Sequence, residues 1–301
     1  MSFSSRVKEE MANTEIFSPC CLQAQCYGLL LFSRAFSPYD ISLTTENESV
    51  SRLYIDSLKN VTGVEAQIIS ETSKKITVSV EDYEDRMKVL NFFGHTGKEL
   101  SLRLNRANIS KECCFAAFLR GVFLSCGTVS SPEKSYHMEF SVLYSKLSLD
   151  LFSLLEELGL SPKHTVRRNA NVIYFKHSEN IEDVLTVMGA MSGSLELMGI
   201  KMNKNMRNKI NRRVNFETAN ISRTVNAAMS QIAAIEKIEE AGGLNILPDN
   251  LQELALVRKE NPDASLNELG ELLNEKLSRS GINHRLARIV EFADNLNAST
   301  D

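Results

Sequence analysis

The chain contains an internal repeat. The stretch CCLQAQCYGLLLFS (residues 20–33) aligns without a gap with CCFAAFLRGVFLSC (residues 113–126), at an offset of 93 residues. Five of the 14 aligned positions are identical, and one of them is a glycine, Gly28 in the first copy and Gly121 in the second. Large apolar residues surround both glycines, which indicates a buried helix in each copy. A core built on two equivalent helices is the strongest constraint that the sequence places on the fold.

The segments that follow the two copies have the same order of predicted elements. After the first copy we predict a strand, a helix, two strands and a helix, at 40–46, 49–60, 64–70, 74–80 and 81–93. After the second copy we predict a hairpin turning at Ser131 and Pro132 (128–142), a helix ending at Gly159 (145–159), two strands (164–168 and 172–176) and a helix (179–191). We interpret both halves as helix, two strands, helix, two strands, helix, with one of the first pair of strands, 40–46, recognised in the first half.

A glycine inside a helix costs about 1 kcal/mol relative to alanine. The cost is acceptable where the missing side chain lets two backbones approach closely. We therefore interpret Gly28 and Gly121 as the contact between two helices related by a pseudo-two-fold axis. The alternative is an ordinary buried helix with an incidental glycine.

The C-terminal part of the chain has a different, all-helical pattern. Residues 217–243 carry one apolar row, which predicts a long connecting helix: Ile221, Val225, Met229, Ile232, Ile235 and Ile238. Three shorter helices follow. The first starts near Pro248 and is broken at Asn261-Pro262, and Ser265 with Glu268 forms a capping box for the second. The third starts at Ser278 or Ser280 and runs to about Phe292.

The three short helices are similar to a helix-turn-helix module. We predict an inner face of Leu266, Leu269, Leu272 and Leu273 on the second helix and of Ile282, Leu286 and Ile289 on the third. Arginine and asparagine recognise guanine and adenine edges in the major groove, and the other polar side chains can hold phosphates. The predicted DNA-contacting residues of the third helix are Arg279, Ser280, Asn283, His284, Arg285 and Arg288. The alternative is a solvated basic helix face.

A basic run precedes the helical tail. Between 201 and 213 there are six cations and no acid: Lys201, Lys204, Arg207, Lys209, Arg212 and Arg213. Removing these six charges from the net charge of −4 leaves −10 on the rest of the chain. A local basic stripe on an acidic chain is a candidate phosphate-binding surface.

The six cysteines fall in two groups: Cys20, Cys21 and Cys26, then Cys113, Cys114 and Cys126. Neither group has the C-x-x-C spacing or a neighbouring histidine pair that is typical of a zinc site. We interpret all six as buried thiols that act as small hydrophobic side chains, and we predict no metal site.

The duplicated pattern resembles the LAGLIDADG homing-endonuclease fold, with its signature on CYGLLLFSR (26–34) and LRGVFLSCG (119–127). The resemblance implies an α+β fold, a duplicated αββαββα domain with a pseudo-two-fold axis, followed by an all-α helix-turn-helix domain. The combination is similar to the WhiA family of bacterial DNA-binding regulators. The match lies in KINRRVNFETAN, FLRGVFLSCGTVSSPEKSYHMEF and ASLNELGELLNEKLSRSGINHRL. We expect a first repeat at 1–104 with an N-terminal helix, a second at 105–200, a basic segment and connecting helix at 201–243, and the helix-turn-helix domain at 244–301.

The resemblance also defines what is missing. A LAGLIDADG nuclease needs an acid at the eighth signature position of each copy, because the two carboxylates hold divalent metal ions. Those positions are Ser33 and Cys126 here, and a serine and a thiol cannot replace two hard carboxylates for Mg²⁺. Nucleotide-binding glycine motifs are absent as well. We therefore expect no enzymatic activity and no cofactor.

The expected partner is double-stranded DNA, and another regulatory protein is a second possible partner. The resemblance implies a transcriptional regulator linked to sporulation, cell division or chromosome organisation. The strands offer Lys163, Arg167, Arg168 and Lys176 in the second repeat but mainly Lys74 and Lys75 in the first. An alternative is therefore that the duplicated domain docks a protein or a ligand and only the tail binds DNA. Without a long apolar run or a signal sequence, we expect no membrane contact and a cytoplasmic, nucleoid-associated protein.

Overall fold

The structure is a computed structural model that describes residues 1–72, 74–168 and 170–298. Contacts divide the chain into two compact units, Met1–Asn205 and Met206–Asp301. The fold is α+β, as predicted.

The first unit contains two copies of one arrangement. The first copy consists of α2 (Pro19–Leu31), β1 (Ala35–Phe36), β2 (Ile41–Thr45), α3 (Glu48–Thr62), β3 (Gln67–Glu71), β4 (Ile76–Ser79) and α4 (Tyr83–Phe92). The second consists of α5 (Glu112–Cys126), β5 (Gly127–Val129), β6 (Met138–Val142), α6 (Ser145–Glu157), β7 (Lys163–Arg167), β8 (Ala170–Phe175) and α7 (Ser178–Val187). Each copy forms one four-stranded antiparallel sheet, in the order β1-β2-β4-β3 and β5-β6-β8-β7. The identical order confirms the predicted duplication.

The helices α2 and α5 pack against each other through their glycines. A β-carbon on Gly28 would lie 2.4 Å from the Phe118 carbonyl oxygen, and one on Gly121 would lie 2.1 Å from the Gln25 carbonyl oxygen. Both distances are far below van der Waals contact, so the backbones meet where a side chain cannot fit. The glycines are therefore a requirement of the helix contact, and the incidental-glycine alternative is wrong.

The positions beside the two glycines have diverged. Tyr27 and Arg120 are equivalent by the 93-residue offset, and so are the residues they contact. The Tyr27 hydroxyl lies 2.9 Å from Nε2 of His95, whereas Nε of Arg120 donates to the Met188 carbonyl oxygen at 2.7 Å. Each contact ties one central helix to the end of the last helix of its own copy.

A further helix, α1 (Phe3–Ala12), packs on the same core through Phe3, Val7 and Met11. Its Glu10 carboxylate accepts hydrogen bonds from the backbone amides of Ser192 at 2.7 Å and Gly193 at 3.1 Å. These amides belong to the first turn of α8 (Met191–Gly242), where the unpaired N–H groups and the helix dipole favour an anion. The N-terminal helix thus caps α8.

The second unit contains the C-terminal part of α8 with α9 (Asp249–Glu260), α10 (Leu266–Leu272) and α11 (Arg279–Ala298). Its core includes Ile235, Ile238, Leu251, Leu254 and the three predicted inner residues of α11, Ile282, Leu286 and Ile289, all buried. The capping box of Ser265 and Glu268 is present, and α9 ends directly before Asn261-Pro262. The predicted helix-turn-helix layout is confirmed.

Two predicted apolar faces need correction. Leu272 is 54% exposed, because α10 ends there and the chain turns so that Leu273 enters the core instead. On α8, Ile221, Val225 and Met229 are exposed, since the buried face of this helix in the second unit begins only at Ala228. The apolar row of residues 221–238 is therefore a core face only in its C-terminal half.

Replacing Gly121 by alanine tests the helix contact. We expect Gly121→Ala to lower the free energy of unfolding of the first unit by at least about 1–3 kcal/mol, because the α2 and α5 backbones must separate. The control is Gly199→Ala on α8, where a β-carbon meets nothing within 4 Å and an exposed helix gains propensity. Urea denaturation followed by circular dichroism measures both, and equal stability of the two variants would contradict the contact.

Candidate nucleic-acid interface

The turn between α10 and α11 is held by a glycine and a serine. A β-carbon on Gly270 would lie 2.6 Å from the Leu277 carbonyl oxygen, so only glycine lets α10 approach the turn this closely. At the start of α11, the backbone amide of Gly281 donates to Oγ of Ser278 at 3.3 Å. This hydrogen bond satisfies one of the amides that the first turn of a helix leaves without a partner. The orientation of α11 against α10 is therefore determined locally.

The helix α11 has one buried and one exposed side. Ile282, Leu286 and Ile289 are fully buried against α9 and α10. The opposite side presents two neighbouring rows at i, i+4 spacing, Arg279 with Asn283, and Ser280 with His284 and Arg288, and all five residues are exposed. Five of the six predicted contact residues on this helix thus lie on one solvent-facing surface, which we call the α11 surface.

The sixth residue, Arg285, does not belong to the α11 surface. Its side chain is only 21% exposed. One guanidinium nitrogen donates to the Asn250 carbonyl oxygen at 3.3 Å, and the other lies 3.5 Å from the Glu275 carboxylate. The prediction that Arg285 lies on the outer face is wrong, because its place on the helix turns it towards the start of α9. We interpret Arg285 as a residue that positions α11.

A shallow cleft opens at the start of the α11 surface. It measures about 540 Å³ and lies between the first turns of α10 and α11. Four of its five lining residues have polar side chains, and the full set is Leu266, Ser278, Arg279, Ser280 and Asn283. Hydrogen-bonding groups therefore surround a concave opening at the N-terminal end of the helix.

Two of the six cations between 201 and 213 have partners within the first unit. Nζ of Lys201 lies 2.7 Å from the Glu179 carboxylate and 3.3 Å from that of Glu182. The hydrogen bond from Lys201 lowers the pKa of Glu179 to about 2. Lys204 donates to the Pro132 carbonyl oxygen at 2.7 Å, and its ammonium stands 5.0 Å from the centre of the Tyr136 ring. Both lysines are therefore already engaged by the fold.

The remaining four cations, Arg207, Lys209, Arg212 and Arg213, are exposed. Arg213 forms an ion pair with Glu217 at 2.9 Å, with side chains 81% and 55% exposed. Such an exposed pair contributes at most about 1 kcal/mol and is readily exchanged. These four residues are the part of the basic run that is available to a polyanion.

The outer face of the second sheet combines cations with an acid. Glu139 lies at its centre, 2.9 Å from His137 and 3.8 Å from Arg167. The ammonium of Lys176 stands 5.3 Å from the centre of the Tyr174 ring, and Lys163 is exposed on the edge strand β7. Arg168 lies in the turn after β7 with a φ of +46°. Part of the predicted positive charge is therefore neutralised within the face.

The corresponding face of the first sheet carries uncharged polar groups. The hydroxyls of Thr44 and Thr77 lie 3.1 Å apart on facing strands, and Ser42 pairs with Ser79 beside them. Lys74 and Lys75 lie in the loop between β3 and β4, and both are exposed. The two sheets thus offer different surfaces to a ligand.

At the end of α2, Ser33 occupies the position of the first missing acid. Its one hydroxyl proton is shared between the carbonyl oxygens of Leu30 at 2.7 Å and Ala35 at 2.9 Å. The side chain is buried and points back to its own backbone. It closes the helix end instead of presenting a ligand atom.

At the end of α5, a lysine that the sequence did not single out stands near the second missing acid. Nζ of Lys8, on α1, donates to the Leu124 carbonyl oxygen at 3.0 Å. Burial lowers the pKa of Lys8 to about 8, while Cys126 and Glu46 act to raise it. Near neutral pH the side chain is therefore mostly an ammonium, which repels a divalent cation. The sequence shows Lys8 only as a basic residue near the start of a predicted helix, and this does not indicate that its side chain lies at the end of α5.

The cysteine prediction also needs correction. Cys26 and Cys114 are buried, but Cys20, Cys21 and Cys126 are only partly buried and Cys113 is exposed. The sulfurs of Cys20, Cys21, Cys113 and Cys114 lie within 4.8 Å of one another. The repeat alignment could have predicted this cluster, because it pairs Cys20 with Cys113 and Cys21 with Cys114. Rules for metal-site spacing consider one segment at a time and therefore do not detect it.

Two family models match the chain. The model for the WhiA LAGLIDADG-like domain matches residues 115–207, and the model for the WhiA C-terminal HTH domain matches residues 210–293. The chain is similar to a probable cell division protein WhiA of Alkaliphilus metalliredigens (strain QYMF), with 36% identity over 98% of both chains. A protein of the same name from Clostridium botulinum (strain Hall) is 37% identical over 98% of this chain and 99% of the relative.

Among solved structures, the fold is similar to full-length DUF199/WhiA from Thermatoga maritima. The TM-score is 0.61 at 29% identity, and the match covers 98% of this chain and 99% of that chain. Within the described residues, no helix is both long and apolar enough to cross a membrane.

Arg285 and Arg288 test the division between positioning and surface residues. We expect Arg285→Ala to destabilise the second unit by about 1 kcal/mol, since the Asn250 carbonyl loses its donor. The matched variant, Arg288→Ala, changes an exposed residue and should stay within about 0.5 kcal/mol of the original chain. Hydrogen exchange of the α9 and α11 amides measures both, and faster exchange in Arg288→Ala alone would reverse the assignment.

Proposed function

The chain belongs to the WhiA family, and from this membership we propose that it is a sequence-specific transcriptional regulator that binds double-stranded DNA and has no enzymatic activity. Relatives are named probable cell division proteins. We extend this to a regulator of genes for cell division, sporulation or chromosome organisation.

The observation that carries the proposal is the α11 surface. It combines a guanidinium, an amide, a hydroxyl and an imidazole on the exposed side of a helix whose other side is fixed by Ile282, Leu286 and Ile289. Arg279 and Asn283 lie in the first turns of the helix, which is the part that contacts base edges in helix-turn-helix proteins. Their side chains have the donor and acceptor groups that distinguish guanine and adenine. We assign base recognition to these two residues.

The phosphate contacts come from two sets of cations. His284 and Arg288 stand in the row next to Arg279 and Asn283. When the helix lies in the major groove, residues at its edge face the phosphates of the DNA backbone. Arg207, Lys209, Arg212 and Arg213 supply a second, sequence-independent set along α8. Lys201 and Lys204 are left out of this set because the first unit already binds them.

The proposal that the first unit is not a nuclease rests on the ends of α2 and α5. Phosphodiester cleavage with metal ions needs carboxylate ligands that hold divalent cations beside the scissile bond. Ser33 uses its hydroxyl on its own backbone, and the Lys8 ammonium donates to the Leu124 carbonyl oxygen at the other end. The groups at these positions neither bind Mg²⁺ nor activate water.

The role of the first unit has a second candidate. The uncharged face around Thr44 and Thr77 favours the alternative that the duplicated domain docks a protein or a ligand. The docking alternative can be tested separately from the role of α11, because the cations of the two units can be changed independently in the full chain.

Asn283 and Arg288 test base and phosphate recognition. Genomic fragments recovered by cross-linking the chain to DNA in cells first define a bound sequence. We expect Asn283→Ala to weaken binding to that sequence by about 1–3 kcal/mol and to leave binding to unrelated DNA unchanged. Arg288→Ala should weaken both. The control is Arg52→Ala, an exposed cation on α3 that pairs with Glu48. Full affinity of Asn283→Ala would move recognition away from α11.

The salt dependence of binding tests which cations meet phosphates. Replacing Arg207, Lys209 and Arg212 by glutamine should reduce the slope of log K against log salt by about 0.9 for each phosphate that is no longer neutralised. Lys201→Gln with Lys204→Gln serves as the matched control and should leave the slope unchanged.

The set Lys163→Gln, Arg167→Gln and Lys176→Gln separates the two roles of the first unit. A reduced slope assigns DNA contact to its strands, and an unchanged slope favours docking of another ligand.

A further inference from the structure

Four cysteines from the two repeats meet at one end of the helix pair. The sulfurs of Cys20, Cys21, Cys113 and Cys114 all lie within 4.8 Å of one another, and Cys20 and Cys113 are 4.0 Å apart. None of the four is needed for the DNA-binding role proposed above. Within the residues that the structure describes, this is the sole group of metal-ligating side chains that meets these distances.

The cluster follows from the contact between α2 and α5. Each helix contributes a vicinal pair from its first turn, and the pairs are equivalent by the repeat offset. The contacts are equivalent as well, because the Cys21 thiol donates to the Cys113 carbonyl oxygen at 3.4 Å and the Cys114 thiol donates to the Cys20 carbonyl oxygen at 3.6 Å. The pseudo-two-fold axis therefore passes through the cluster and relates its two halves.

The surroundings of the cluster favour negative charge. Neither Ser18 before α2 nor Lys111 before α5 accepts a side-chain capping hydrogen bond from its helix. The four cysteines lie in the first turns of the two helices, where the positive end of the helix dipole stabilises an anion. The ammonium of Lys111 adds a positive charge nearby and acts to lower the pKa of Cys20.

The thiols of Cys20, Cys21 and Cys114 have shifted pKa values. Burial by itself would raise the pKa of Cys20, but hydrogen bonds with Cys114, Cys113 and Cys21 outweigh this and lower it. Burial and the neighbouring thiols raise the pKa of Cys21 to about 12 and also raise that of Cys114. A thiol becomes a zinc ligand by losing its proton, and a bound divalent cation favours that loss.

We propose that Cys20, Cys21, Cys113 and Cys114 form a structural Zn²⁺ site that joins the two repeats at the N-terminal ends of α2 and α5. Tetrahedral zinc with four thiolates has Zn–S bonds of about 2.3 Å, so its sulfurs are about 3.8 Å apart. The observed separations need to contract by about 1 Å at most to reach this geometry. The four thiols release four protons to solvent, and the resulting centre carries a charge of −2.

The ligand set decides the ion and its role. Soft thiolates select zinc over Mg²⁺ and Ca²⁺, which prefer oxygen ligands. Sulfurs this close surround one metal ion, whereas a cluster with several iron atoms spreads its cysteines further apart. Four protein ligands leave no open coordination position, which is typical of a structural site. The ion would cross-link segments 93 residues apart in sequence and so reduce the entropy of the unfolded chain.

Metal content of the reduced full-length chain tests the proposal. We expect native mass spectrometry to detect one zinc ion per chain, lost on acidification. Replacing zinc by Co²⁺ should give the intense near-ultraviolet thiolate-to-cobalt band and the visible bands of a tetrahedral site. The double variant Cys20→Ser with Cys113→Ser should lose both signals. The control is Cys126→Ser, at the other end of α5, which should keep both.

Circular dichroism shows whether the double variant is folded. The single variant Cys113→Ser, at an exposed position, removes one proposed ligand with less disturbance of the fold. Chelator should lower the unfolding midpoint of the original chain and of Cys126→Ser, but not that of the double variant. A chain that stays without zinc after reconstitution with zinc chloride overturns the proposal. So does a Cys20–Cys113 disulfide in the protein as isolated, an iron centre, or full zinc retention in the double variant.

Discussion

The backbone contact between α2 and α5 determines the positions of most features of the first unit. At Gly28 and Gly121 the missing β-carbons let carbonyl oxygens of one helix occupy the space where side chains of the other would stand. The two sheets extend from the same helix pair, so their relation depends on this approach. The cysteine cluster lies at one end of the pair, and Ser33 and Cys126 lie at the other. The close contact between α2 and α5 thus determines which residues meet at each end of the helix pair.

Local chemistry explains what the sequence could predict. The strands, the Ser265–Glu268 capping box and the break at Asn261-Pro262 depend on neighbours within a few residues, and they are confirmed. The contact between the two glycines joins distant segments, and it could be predicted because the internal repeat pairs them. Five of the six candidate residues on α11 are exposed as predicted, although their contact with DNA stays a prediction. A helical wheel leaves Arg285 between the two faces, and only the position of α9 turns it inward.

Features that depend on distant segments escaped prediction. Lys201 is neutralised by Glu179 and Glu182 on α7, and the sequence alone does not predict this pairing. Spacing rules for metal sites count within one segment, so they miss a site assembled from two copies of a vicinal pair. Lys8 reaches the end of α5 only because α1 packs on the shared core. In each case the partner is set by tertiary packing.

The residues beside the two glycines have a consequence for the symmetry of the molecule. Tyr27 and Arg120 occupy equivalent places, yet one meets an imidazole at His95 and the other a carbonyl oxygen at Met188. Arg120 also reaches across the helix pair to the side-chain oxygen of Gln25 at 3.3 Å. The two halves are therefore complementary rather than interchangeable. A chain built from either half twice would keep the glycine crossing but lose the hydrogen bond between Arg120 and Gln25.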